Sequence, residues 1–231
     1  MKRNQISTGT FIDGKEVIAV ELTNSQGSTV KVYNYGAIIS RFIITNAAGR
    51  KQDILLGFDD IDGYINEDYL ANYPFLGAVI GRYSNRIKDG KFSVLGVDYQ
   101  LTSNLHGGDN GFDKKVWDIL PTIDPSLTLQ YISPADEENF PGNLTVQLTI
   151  KLSDEDELIL DYRATTDKAT PVNLTHHSYF NLSETGGTVA EHHHRMAASR
   201  YLQQDGDYVA TGVILPVEGT MHDFLAGKLI G

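Results

Sequence analysis

The chain has 231 residues, 19 basic side chains against 30 acidic ones, a net charge of −11 and no cysteine. That balance argues against nucleic acid or an anionic membrane as a partner, since either would repel it, and favours a neutral small molecule. Without cysteine there is no disulfide framework, thiolate nucleophile or zinc–thiolate site.

The basic N-terminal segment MKRNQISTGTF lacks the apolar core of a signal peptide, and no run approaches transmembrane length, so a cytoplasmic protein is expected. Short β-rich runs follow at Val17 to Thr23, Thr29 to Tyr35 and Ala37 to Thr45, with NSQG and NAAGR as turn signals. The aromatic, acidic stretch from Asp59 to Phe75 is irregular and reads as a loop over one edge of the fold. Next comes GAVIGRYSNRI, Gly77 to Ile87, which brings Arg82, Asn85 and Arg86 together after an apolar segment. It lacks the Gly-Lys-Ser/Thr ending of a phosphate loop, whereas arginine beside asparagine can offer hydroxyl groups a fixed set of donors and acceptors.

Two further strand-like runs, Lys91 to Val94 and Val97 to Leu101, lead into NLHGG, where His106 precedes two glycines that permit tight turning and close backbone approach. After Leu127 to Ile132 comes the clearest periodicity in the chain. Leu144, Val146, Leu148, Ile150 and Leu152 alternate with polar residues, the period of two that marks a half-buried strand. The acidic run SDEDE then turns the chain into Leu158, Leu160, Tyr162 and Ala164, a hairpin by pattern. Long amphipathic helical windows are scarce and no linker divides the chain. The expected fold class is all-β, a large antiparallel β-sandwich forming a single domain over residues 1–231.

The segment NLTHHSYFNL places His176 and His177 side by side in a strand-like apolar run. Alternation along a strand would keep them from facing one cleft together, so one is expected to work and the other to support it. Imidazole titrates near neutral pH, which suits a group that must give and take a proton in one cycle. The run His192 to His194 offers two histidines on one strand face but no identifiable third ligand, so no metal site is expected. His222 has no role beyond a surface or structural one.

Taken together, the clusters at Arg82 to Arg86, His106 and His176 to Tyr179 resemble the aldose 1-epimerases, the galactose mutarotase family. The resemblance runs on through LLGFDDIDGY, GFDKKVWD, DEENFPGNLTV and RYLQQDGDYVATGVILPVEGTMHDF, in family order. It implies a galactose mutarotase-like supersandwich with an open sugar cleft. It also implies interconversion of the α and β anomers of a hexose such as galactose or glucose, without a cofactor. By resemblance, His177 takes the place of the general acid that protonates the ring oxygen, and His106 that of the second cleft histidine, which holds and polarises the sugar. Asn85 and Arg86 match the substrate-binding pair, Tyr179 stands as a candidate cleft wall, and Arg82 is expected to be structural. His176 departs from the family pattern, in which asparagine is usual, and is given a supporting role.

The family's general base is a glutamate far towards the C-terminus, and an aspartate in the same late region binds sugar hydroxyls. Neither motif is present, so the sandwich is expected to be truncated at its C-terminal end and no glutamate here can be assigned as base. A noncatalytic carbohydrate-binding relative is the alternative reading, and a partner-binding sandwich a third. The preferred hexose and the oligomeric state are left open.

Overall fold

A computed structural model describes residues 2–122, 125–184 and 186–231. Five antiparallel strands form one sheet in sequence order: β1 (Lys2–Ile12), β2 (Lys15–Thr23), β3 (Thr29–Tyr33), β4 (Ile39–Thr45) and β5 (Lys51–Asp53). Helices α1 (Ile61–Ile65) and α2 (Glu67–Ala71) follow, then the short strand β6 (Val79–Ile80) and the hairpin of β7 (Lys91–Val94) with β8 (Val97–Gln100). The second sheet holds β9 (Asp118–Leu120), β10 (Leu127–Ser133), β11 (Leu144–Leu152) and β12 (Leu158–Thr166), in the order β12-β11-β10-β9.

The two sheets face each other across a core that the alternation on β11 announces. Leu144, Val146, Leu148, Ile150 and Leu152 are all buried, and they meet Val20 and Leu22 of β2 and Val30 and Val32 of β3. The expected β-sandwich is thus the observed architecture. The hairpin after SDEDE pairs β11 with β12 from Leu152 opposite Leu158 to Leu144 opposite Thr166.

One strand lies outside the runs marked by sequence, and one expectation needs correction. β1 has no alternating apolar pattern, only scattered half-buried positions, because it is an edge strand held by its ladder to β2. The stretch from Asp59 to Phe75 is more ordered than a loop. Asp60 and Asn66 cap α1 and α2 through their side-chain oxygens, and Ile61 and Tyr64 bury against Tyr33, Tyr35 and Ile38. The first sheet is therefore covered on both faces, by the second sheet and by this aromatic segment.

Beyond β12 the chain makes β13 (Thr175–His176), which pairs with β6, then β14 (His193–His194), β15 (Arg200–Gln204), β16 (Ala210–Pro216) and β17 (Lys228–Leu229). β14 pairs with β17 and β15 with β16. Among the described residues, no helix is long and apolar enough to cross a membrane.

Candidate active site

Four backbone segments border one open cleft of about 490 Å³, and three of them carry Asn85 and Arg86, His106, and His176 with His177. The first segment is the one after β6. Arg82 anchors it: 2 % exposed, its guanidinium donates to the Ser133 hydroxyl at 2.8 Å and to the carbonyls of Ser133, Pro134 and Pro141 at 3.0, 2.7 and 3.0 Å. This is a structural role, with backbone carbonyls as most of its acceptors.

The second segment is the loop around His106, which is bound to the first by reciprocal contacts. The His106 amide donates to the Asn85 carbonyl at 3.0 Å, and the Asn85 amide donates to His106 Nδ1 at 3.0 Å. Both residues sit at positive φ, 60° for Asn85 and 54° for His106. Gly107 and Gly108 continue the turn at φ 88° and 110°, where a Cβ on Gly107 would collide with the Gly81 carbonyl and one on Gly108 with the Glu138 carboxylate. Only glycine fits this path. Glu138 closes the loop by accepting the amides of Asp109 and Asn110 at 3.0 Å each.

Because Nδ1 of His106 accepts the Asn85 amide, the neutral ring carries its proton on Nε2. Burial, reinforced by His177 and the Arg86 charge, pushes the His106 imidazole down to about 4. It therefore stays neutral at physiological pH and serves as a hydrogen-bond donor, not as an acid.

The third segment carries His177. Its amide donates to the Ala78 carbonyl at 2.8 Å and its carbonyl accepts the Gly77 amide at 3.0 Å, so the strand before the arginine cluster fixes its place. The His177 ring meets His106 edge-on at 5.4 Å between centroids. Phe75 lies against both imidazoles, 4.8 Å from His106 and 5.8 Å from His177. It ends a chain of aromatic contacts that begins at Tyr33 and runs through Tyr64, Tyr69 and Tyr73. Sequence reading missed Phe75; the recurrence of aromatic residues through the Asp59 to Phe75 stretch was the available signal.

His176 departs from the expected alternation, because the paired strand ends at His176 and His177 lies beyond it. Both residues border the cleft. The His176 imidazole lies 2.9 Å from the Ser178 hydroxyl through Nδ1, while its Nε2 is buried without a hydrogen-bond partner. Burial pushes this ring down to about 4, and His177 adds to the effect.

Tyr179 touches the His177 ring at 5.1 Å and donates its hydroxyl to the Pro74 carbonyl at 3.1 Å. It lies outside the residues bordering this cleft and instead lines a larger cavity of about 870 Å³ between β5 and the segment that follows Tyr179. That cavity has no histidine on its walls, so we take the smaller cleft as the candidate site. Among the described residues no carboxylate borders the smaller cleft. Elsewhere, His192 accepts the Leu182 amide through Nε2 at 2.8 Å, His194 packs on Phe224 and His222 on Tyr201. Among the described residues no three His, Cys, Asp or Glu side chains lie together as a metal site.

The aldose 1-epimerase family model matches residues 19–231. The chain is 40% identical over 200 residues to galactose mutarotase of Rattus norvegicus, covering 84% of this chain and 56% of the rat protein. It is 34% identical over 223 residues to aldose 1-epimerase of Escherichia coli, covering 94% of this chain and 63% of that protein. Among solved structures, galactose 1-epimerase from Lactobacillus acidophilus superposes with a TM-score of 0.85 at 30% identity, over 100% of this chain and 67% of the other. The chain thus spans less than two thirds of the length of these curated relatives. With the family model matching from β2 to the last residue, the chain belongs to the aldose 1-epimerase family.

Proposed function

We propose that this chain carries the acid side of a hexose 1-epimerase site, with a galactose-like or glucose-like aldose as substrate. The observation that carries the reading is the facing pair His106 and His177, set beside Asn85 and Arg86 in one open cleft.

In the proposed reaction the anomeric hydroxyl loses its proton, the C1–O5 bond breaks as a carbonyl forms at C1, and O5 receives a proton. Rotation about C1–C2 and reversal of these steps give the other anomer. His177 is the group assigned to protonate O5 and to take that proton back on closure. Neutral His106 donates from Nε2 to a sugar oxygen, which steadies charge building there without contributing a proton of its own. Arg86 and Asn85 bind hydroxyls, the guanidinium as donor and the amide as donor and acceptor. The acceptor of the anomeric proton is not assigned to any residue bordering the cleft.

The lack of a carboxylate among the described residues bordering the cleft supports one alternative, a carbohydrate-binding protein without turnover. Saturation transfer between the α and β anomeric protons of D-galactose separates the two. Exchange faster than in buffer supports the epimerase. Sugar-induced shifts of the His106 and His177 ring resonances, with exchange unchanged, support the binding protein.

A further inference from the structure

We propose that Tyr208 is a substrate-positioning residue of this site: its ring holds the Arg86 guanidinium and forms the aromatic wall against which the apolar C–H face of an aldopyranose rests. The inference rests on the sugar-binding reading above and adds a residue from a part of the chain far from the histidine and arginine clusters.

Tyr208 lies in the turn between β15 and β16. Its ring centroid is 5.5 Å from Arg86 Cζ, and it borders the same cleft as His106 and His177. The side chain is 64% exposed, so most of the ring not given to Arg86 faces open space. The turn is built to present it. Asp205 accepts the amides of Asp207 and Val209 through Oδ1, both at 3.0 Å, and the Tyr208 amide donates to the Asp205 carbonyl at 3.1 Å. Val209, 7% exposed, anchors the next position. Lys88, two residues beyond Arg86, lies 3.9 Å from the Asp205 carboxylate and joins the turn to the arginine segment.

Tyr208 adopts φ 60°, a left-handed conformation that a bulky aromatic residue rarely takes and that a glycine at this position would adopt without strain. A tyrosine at such a position, mostly exposed, gains little from burial beyond its contact with Arg86. Among the described residues bordering the cleft it is the one Phe, Tyr or Trp, and so the one broad aromatic plane. Imidazoles, a guanidinium and an amide address the hydroxyl edge of a pyranose, whereas its C–H face needs an aromatic plane. The cation–π contact would also hold Arg86 in the rotamer that faces the sugar.

The test is the initial rate of α-D-galactose mutarotation against sugar concentration for the 231-residue chain and for Tyr208→Ala, Tyr208→Leu and Tyr208→Phe. The expected result is a KM about fivefold higher for Tyr208→Ala and Tyr208→Leu, the loss due to an exposed cation–π contact, with kcat changed less than about twofold. Tyr208→Phe keeps the parent KM. If the chain binds galactose without turnover, the same comparison is read in Kd. Tyr208→Leu retains bulk at the turn, so a folding failure of Tyr208→Ala leaves the comparison intact. An active parent with KM unchanged in Tyr208→Leu overturns this proposal alone, as does a Tyr208→Phe variant as impaired as Tyr208→Leu. A parent that neither binds nor converts galactose overturns the proposed function and this proposal together.

Discussion

His176 makes the fold acid-sensitive in a calculable way. Its ring is held neutral by burial, falling from 6.5 in the unfolded chain to about 4, with a buried Nε2 that lacks a partner and with the His177 charge opposing its own. The unfolded chain therefore takes up a proton before the folded one. Stability is fully retained above about pH 6.5, is lost as pH falls towards about 4, and is level again below that. At 1.36 kcal/mol per pH unit of difference, about 2 kcal/mol would be gone by about pH 5. The residue retains partial contact with solvent, so about 1–2 kcal/mol is the expected loss. Trp117, the only tryptophan and fully buried, reports unfolding by fluorescence. Urea midpoints at about pH 7.5 and about pH 5, for the parent and for His176→Asn, isolate the residue from every other titrating group. The parent should lose more stability than the variant by that amount. Parallel losses in the two proteins would refute the argument.

Three further outcomes are expected from the same geometry. Arg82→Leu leaves the buried carbonyls of Ser133 and Pro141, and the part-buried one of Pro134, without this donor and should destabilise by about 3–5 kcal/mol in urea titration. Asp113 is 1% exposed, and burial raises its carboxyl from 3.8 to about 6, with Lys114 and Tyr73 among the offsetting groups. Its charge destabilises the fold above that value and is absent below 3.8, so Asp113→Asn should gain about 1–2 kcal/mol near pH 7.5 and lose the gain near pH 4. Gly107→Ala combines φ 88° with a collision at the Gly81 carbonyl and should destabilise by about 2–4 kcal/mol. Its His106 ring resonance should also lose the environment set by the Asn85 amide.

Much of this fold is written in side-chain alternation, because a strand that buries one face must repeat every second residue. β11 was legible for that reason, and so was its turn through SDEDE into β12. β1 was not, since an edge strand is held by its backbone ladder and leaves its side chains free to be polar. The local motifs at Asn85, Arg86, His106 and His177 named residues that the fold does bring to one cleft. Their mutual distances depend on the pairing of β6 with β13 and on the reciprocal hydrogen bonds of Asn85 and His106, which no local pattern encodes. Phe75 and Tyr208 were unread for a related reason. An aromatic residue in a loop carries no period, and only the fold shows that one presses on two imidazoles and the other on Arg86.

The central claim is that His177, set edge-on to a neutral His106, moves the proton at the ring oxygen of an aldose. Its most direct test is the optical rotation of freshly dissolved α-D-galactose, in a weakly catalysing buffer, with the parent chain and with His177→Gln. Acceleration by the parent that falls to the buffer rate in His177→Gln is the expected result. Equal acceleration by both proteins, or none by the parent, would contradict it.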